Sequence, residues 1–217
     1  MLHVQNFTVF SDDSACSILL HMTWVIAGLG NPDDEHIHTR HNAGRMAVEY
    51  FAKQKKLDEW KDDKKSRSFV ARGAVGKALA VCVLPNTYMN KSGNAVQHFV
   101  KSIKAAERLV VVYDELDLPL GSIKISYDRG SGGHRGLDSV MRSVKTRAFT
   151  RIRIGISPVT PGGKLKKPQG EDDVQEFILG DFKSAELSTL KAVFKRVSEA
   201  IEAILTEGHE HAMNKFN

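Results

Sequence analysis

The chain has 217 residues, 41% hydrophobic and 26% charged, which suits one well-packed globular core and excludes a disordered polyelectrolyte. A net charge of +5 leans toward an anionic partner without the charge density of a dedicated nucleic-acid binder. Two cysteines exclude a disulfide framework, no apolar run approaches the roughly 20 residues that span a bilayer, and the N-terminus lacks a secretory signal pattern. The expectation is a cytoplasmic protein with Cys82, in Ala80-Val81-Cys82-Val83-Leu84, as a small buried hydrophobe.

In chain order, residues 1–22 are weakly patterned and read as a poorly ordered extension, with Met22 as an alternative start. A strand over Thr23–Ala27 ends in Gly28-Leu29-Gly30-Asn31-Pro32. A helix follows over Asn42–Lys56, where Ala43, Met46, Ala47, Tyr50 and Phe51 recur at helical spacing. The charged run Asp58–Arg67 reads as a solvated loop. Strands are predicted at Ser68–Val75 and Ala78–Leu84, a helix over Gly93–Ile103, and a buried strand over Arg108–Tyr113 that ends at Asp114. Next come a strand at Ile123–Tyr127, the turn Gly130-Ser131-Gly132-Gly133, a helix over Gly136–Val144 and a strand at Arg151–Ile156. Pro158–Asp172 carries three glycines, three prolines and three lysines and reads as a mobile loop; a long helix over Ser184–Thr206 completes the predicted elements. Strands interleaved with helices predict an α/β fold: residues 23–217 as one domain, a mixed twisted sheet flanked by helices.

Four polar clusters sit where such folds place their chemistry, on loops after strands. The glycine pair at Gly28 and Gly30 invites a dinucleotide fingerprint, but position 33 is Asp33, Pro32 disrupts the turn, and no helix opens there. What remains is Asn31 and, just beyond, His41 between Arg40 and Asn42. The second cluster is Pro85-Asn86-Thr87-Tyr88-Met89-Asn90-Lys91-Ser92-Gly93. There Asn90 suits either a turn or a donor to a developing oxyanion. Asp114 in the third cluster suits either a turn carboxylate or the partner that fixes the tautomer of a histidine base. The fourth, Gly130 to Gly136 with His134 and Arg135, lets backbone approach a ligand closely.

Together these stretches resemble the bacterial-type peptidyl-tRNA hydrolases. GLGNP, TRHNAG, PNTYMNKSG, VVYDELDLPLG, GSGGHRG and RIRIGI stand in the family's order, followed by a lysine-bearing loop and VQEFILGDF, over residues 23 to about 205. The resemblance implies hydrolysis of the ester between peptide and tRNA, with His41 as general base, Asp114 as its orienting carboxylate and Asn90 supporting the oxyanion. It implies substrate contacts from Asn31, His36, Asn42, Tyr88, Met89, His134 and Arg135, and phosphate contacts from Lys124 and Arg153. The loop around Gly162–Gly170 would be a lid. It implies tRNA as partner, a monomer, no metal and no cofactor. Three departures stand out: Asp33 replaces a glycine, His36 a tyrosine, and Arg135 an asparagine, while Ser126 stands where some relatives carry lysine. Arg135 would make a free α-ammonium costly to accept, favouring blocked substrates. Two other readings compete: a non-catalytic RNA-binding relative of the same fold, and a nucleotide-binding or small-ester enzyme on an α/β sheet.

Overall fold

The computed structural model describes residues 23–217; the expectations for residues 1–22 lie outside them. The seven strands are β1 (Thr23–Gly28), β2 (Lys61–Asp63), β3 (Ser68–Val75), β4 (Ala78–Pro85), β5 (Leu109–Pro119), β6 (Ile123–Tyr127) and β7 (Thr150–Ser157). They form one sheet in the order β2-β3-β4-β1-β5-β7-β6. The centre is parallel, with β1 paired to β4 and β5, and β5 to β7. Both margins are antiparallel. The predicted mixed sheet is thus observed.

The helices are α1 (Ala43–Gln54), α2 (Ser92–Val96), α3 (Ile103–Ala106), α4 (Arg135–Val144), α5 (Glu171–Leu179), α6 (Ser184–Glu207) and α7 (His209–Phe216). Alternation along the central strands feeds two cores. Ile26, Val110, Val112, Ile152 and Ile154 pack with α1, α6 and α7 on one face. Val25, Ala27, Val111 and Tyr113 meet Val96, Leu137 and Val140 on the other. Among the described residues, no helix is long and apolar enough to cross a membrane. Cys82 is fully buried, and burial pushes its thiol pKa up, so it behaves as a core hydrophobe.

Several boundaries differ from expectation, each for a local reason. Within the charged run, Lys61–Asp63 pairs with β3 as an edge strand, where charged side chains suit the open margin. The helix predicted over Gly93–Ile103 is broken: α2 stops at Val96, and Ser102 starts α3 by accepting the Ala105 N–H on its hydroxyl at 3.1 Å. Asp114 lies inside β5 and not at its end. The strand leaves β1 after Val112 but stays paired to β7 through Glu115 and again at Pro119, so its polar half keeps its backbone bonds while lining a cleft. Two helices were not anticipated. α5 opens after Gly170 (φ +92°) with Glu171, Asp172 and Asp173 at its positive end. α7 buries Ala212 and Phe216.

One close approach positions the site. A Cβ on Gly44, in the first turn of α1, would lie 2.2 Å from the Val112 carbonyl oxygen of β5, and one on Gly28 would meet the Gly44 carbonyl oxygen at 2.8 Å. Two glycines therefore let α1 seat directly on the sheet, carrying His41 to Asp114. Gly44→Ala is expected to lower stability by about 1–3 kcal/mol, because neither facing group is a side-chain end that can swing aside. Chemical denaturation measures that cost; a cost near zero would mean that α1 slides freely on the sheet.

Candidate active site

Three of the four central parallel strands, β4, β1 and β5, deliver the site toward their C-terminal ends, where the strand order reverses around β1. After β1, Asn31 lies 7% exposed. Its backbone N–H donates to the Asn42 side-chain oxygen at 2.8 Å, and the Asn42 amide donates back to the Asn31 carbonyl at 3.0 Å. The Asn31 side-chain oxygen accepts the Met89 N–H at 2.9 Å, tying the β1 loop to the β4 loop. Arg45 of α1 donates to the Pro85 carbonyl at 3.0 Å and fixes the same loop from beneath.

His41 occupies a short 3-10 turn (Arg40–Asn42) that leads into α1 and is 7% exposed. Its Nδ1 lies 2.9 and 3.1 Å from the two Asp114 oxygens. A carboxylate only accepts, so Nδ1 carries the proton, and Nε2 becomes the basic nitrogen, turned away from Asp114. His134 reaches Asp114 Oδ1 through Nε2 at 3.0 Å. One carboxylate thus serves two imidazoles. Burial alone would raise the Asp114 pKa, but the charges and hydrogen bonds of His41 and His134 outweigh it and hold the carboxyl well below the usual range.

An open cleft of about 600 Å³ lies over these groups, lined among others by His41, Asn31, Asn90 and Asp114. Exposed Tyr88 and buried Met89 contribute from the β4 loop, Ser131–Gly133 from the glycine turn, and Val174, Ile178 and Leu179 from α5. Two ion pairs join its parts: Arg135 to Glu171 on α5, and Lys167 to Asp117 at 2.5 Å. All four side chains are exposed, so water screens both pairs and neither is a strong tie.

The ligand atoms of His41, Asp114 and His134 also lie within 4.8 Å of one another, the pattern of a metal set. Their hydrogen bonding does not suit one. His134 Nδ1 accepts the Leu137 N–H at 3.1 Å, so ligation through Nε2 would force a proton onto Nδ1, against another donor.

The remaining residues named from the sequence divide. Lys124 and Arg153, cross-strand partners on β6 and β7, lie in a second groove of about 650 Å³ with Arg129, Tyr127 and His209. There Arg153 shares its charge with Glu115 at 3.3 Å. Ser131, Gly132, Glu115 and Asp117 line both grooves, so the glycine turn is the ridge between them. His36 does not line the cleft; its ring faces Asp33 at 3.6 Å within a separate 3-10 turn. Asn42, 1% exposed, bonds the Asn31 backbone through both its oxygen and its NH₂ and so positions the Asn31 loop. Arg135 is engaged by Glu171 in a cleft that also holds Glu115 and Asp117, so its positive charge is partly offset by neighbouring carboxylates.

Sequence reasoning passed over two buried arginines. Arg40 donates to the Gly180 and Asp181 carbonyls at 3.1 and 2.7 Å and pairs with Glu186 at 2.9 Å. Its guanidinium lies over Phe177 and Phe182. Arg151, fully buried, donates to the Arg129 and Arg147 carbonyls and anchors the chain entering the glycine turn. Adjacency to His41 was the only signal for the first, and the second had none.

The family model described as "Peptidyl-tRNA hydrolase" matches residues 25–217. The chain belongs to the peptidyl-tRNA hydrolase family. It is 40% identical over 195 residues to a peptidyl-tRNA hydrolase of Carboxydothermus hydrogenoformans, covering 89% of this chain and 98% of that protein. A Thermotoga peptidyl-tRNA hydrolase is 39% identical over 194 residues, covering 89% and 96%. The crystal structure of the Acinetobacter baumannii peptidyl-tRNA hydrolase superposes with a TM-score of 0.80 at 31% identity, over 91% of this chain and 95% of that one. Relatives at this identity over nearly their full length make the chain an enzyme of the peptidyl-tRNA hydrolase type and disfavour the non-catalytic RNA-binding reading.

Proposed function

We propose that this chain cuts the ester between peptide and tRNA with a water molecule activated by His41 Nε2. The observation that carries the reading is the His41–Asp114 pair at 2.9 Å, opening onto a cleft that also presents Asn31 and Asn90. An imidazole held in the Nδ1–H tautomer takes a proton from water through Nε2, and such a base contributes about 10²–10⁴-fold. Asn90 donates to the carbonyl oxygen as it gains charge, a contribution of about 10²–10³-fold. Asn31, whose oxygen is fixed by the Met89 N–H, offers its amide N–H groups to peptide carbonyls irrespective of sequence. Selection against free aminoacyl-tRNA then rests on these neutral amides, since Arg135 is already paired.

The peptide lies in the first cleft against Tyr88, Ile178 and Leu179, and the RNA in the second groove, with phosphates on Lys124, Arg129 and Arg153. The strap from Pro158 to Gly170, tied down through Lys167, serves as the lid. Residues 23–217 act as one domain and a monomer, in the cytoplasm.

The test compares N-blocked aminoacyl-tRNA with free aminoacyl-tRNA, at rising salt, for the wild type and His41→Ala. Cleavage of the blocked substrate alone is expected, with the rate falling as salt weakens phosphate contacts. His41→Ala is expected to lose about 10²–10⁴-fold in kcat. Retention of most activity in that variant would remove His41 from the mechanism.

A further inference from the structure

His134 lines the cleft, yet both of its ring nitrogens are already committed. It stands at the N-cap of α4, where an imidazole takes the place of the usual hydroxyl or carboxylate. The Leu137 N–H donates to Nδ1 at 3.1 Å, so Nδ1 holds a lone pair and the ring proton is on Nε2, which donates to Asp114 Oδ1 at 3.0 Å. This tautomer is opposite to that of His41, whose Nδ1 donates to the same carboxylate. The ring has little freedom to exchange these roles. Tyr113 meets it edge-on at 4.8 Å, His41 lies at 5.0 Å, and even a Cβ on Gly136 would come within 3.1 Å of its Cε1.

We propose that His134 is a positioning residue and not a substrate contact: a helix cap whose opposite nitrogen holds Asp114 Oδ1 in place, so that the carboxylate keeps His41 in its basic tautomer. This inference rests on the reading of His41 as the base. Asp114 accepts two N–H groups, that of His134 on Oδ1 and that of His41 shared between Oδ1 and Oδ2. Without the His134 bond, Oδ1 would lose one of its two anchors, and the carboxylate, held by His41 alone, would gain freedom to turn about its Cβ–Cγ bond. His41 would then sample orientations in which Nε2 no longer faces the substrate. The rest of the peptide cleft, from Tyr88 to Leu179, would keep its lining, since the His134 side chain is only 9% exposed there.

Two amides separate the roles, because asparagine places a polar atom near the Nδ1 position and glutamine places one near Nε2. His134→Asn keeps an acceptor for the Leu137 N–H but loses the donor to Asp114. It is expected to melt close to the wild type while kcat falls about 10- to 100-fold with KM little changed. His134→Gln restores the donor and loses the cap. It is expected to recover most of the lost kcat while melting about 2–4 °C lower. Long-range proton–nitrogen NMR of the unsubstituted protein should show His134 protonated at Nε2 and His41 at Nδ1, a readout that does not depend on turnover. Equal loss of kcat in both variants, a rise in KM as the main effect, or a His134 proton on Nδ1 would each overturn the proposal. Correct tautomers in a protein that fails to cleave blocked aminoacyl-tRNA would instead count against the function proposed above and leave the role of His134 intact.

Discussion

Asp114→Asn is expected to lower kcat by about 10⁴-fold, the scale seen when the acid orienting a histidine base becomes an amide, with KM little affected. The side chain is 3% exposed and accepts from two imidazoles, and both oxygens are used. An amide keeps the size but offers one acceptor and one donor. Whichever way it turns, its NH₂ faces a ring nitrogen that now carries a proton. His134 is held by Leu137 and cannot change tautomer without opposing that N–H, so His41 yields. A proton shifted to His41 Nε2 removes the base. The same substitution alters acid stability in a defined direction. The Asp114 carboxyl is held below its unfolded value near 3.9, so its ionised form stabilises the fold above that pH, and the contribution is lost as pH falls through the lower folded value. Urea midpoints between about pH 2 and pH 6 should therefore depend less on pH in Asp114→Asn. A kcat within tenfold of wild type would show that His41 needs no orienting acid.

Arg40→Ala is expected to cost about 2–4 kcal/mol, somewhat less than loss of a fully buried ion-pair partner, because Glu186 is part-exposed and keeps the Lys183 N–H. For a domain of this size that is a fall of roughly 4–16 °C in Tm. The guanidinium links the residue before His41 to the α5–α6 junction through two carbonyls and Glu186, with Phe177 and Phe182 against its faces. Alanine leaves Glu186 without this cation and the Gly180 and Asp181 carbonyls without this donor. Since α5 lines the cleft, the loss should also raise KM for peptidyl substrates. Arg40→Lys restores charge but cannot span three acceptors in one plane, so it should recover less than half of the stability. Calorimetry separates these outcomes; a fall of under 2 °C in Arg40→Ala would show that the junction is held by packing alone.

The central strands and the long helices were legible because their residues repeat at periods of two and 3.6: Ile26, Val110 and Val112 on one face, and Leu190, Phe194, Val197 and Ile201 along α6. His41, Asn31 and Asn90 were legible as polar residues on strand-end loops and Asp114 as the acid closing an apolar run, and the fold does bring them to one cleft, although Asp114 lies within β5. What could not be read was the division of labour among neighbours. Asn42 and Asn31 share residue type and loop, yet one is consumed by the backbone of the other, a fact set by a contact across eleven residues. Arg135 carries a charge in sequence and an ion pair in space. α5 was hidden because its residues are only partly buried or exposed, so little apolar periodicity marks it.

The ridge of glycines between the two grooves has a consequence for turnover. On the placement proposed above, the peptide and the RNA rest on separate surfaces, and the scissile ester is the tether between them. While it is intact, capture of one half raises the effective concentration of the other, so two modest affinities act as one strong one. Cutting the ester abolishes that avidity in the same event that completes the reaction. Each product is then left with the affinity of a single groove, and the enzyme clears itself by the bond it breaks.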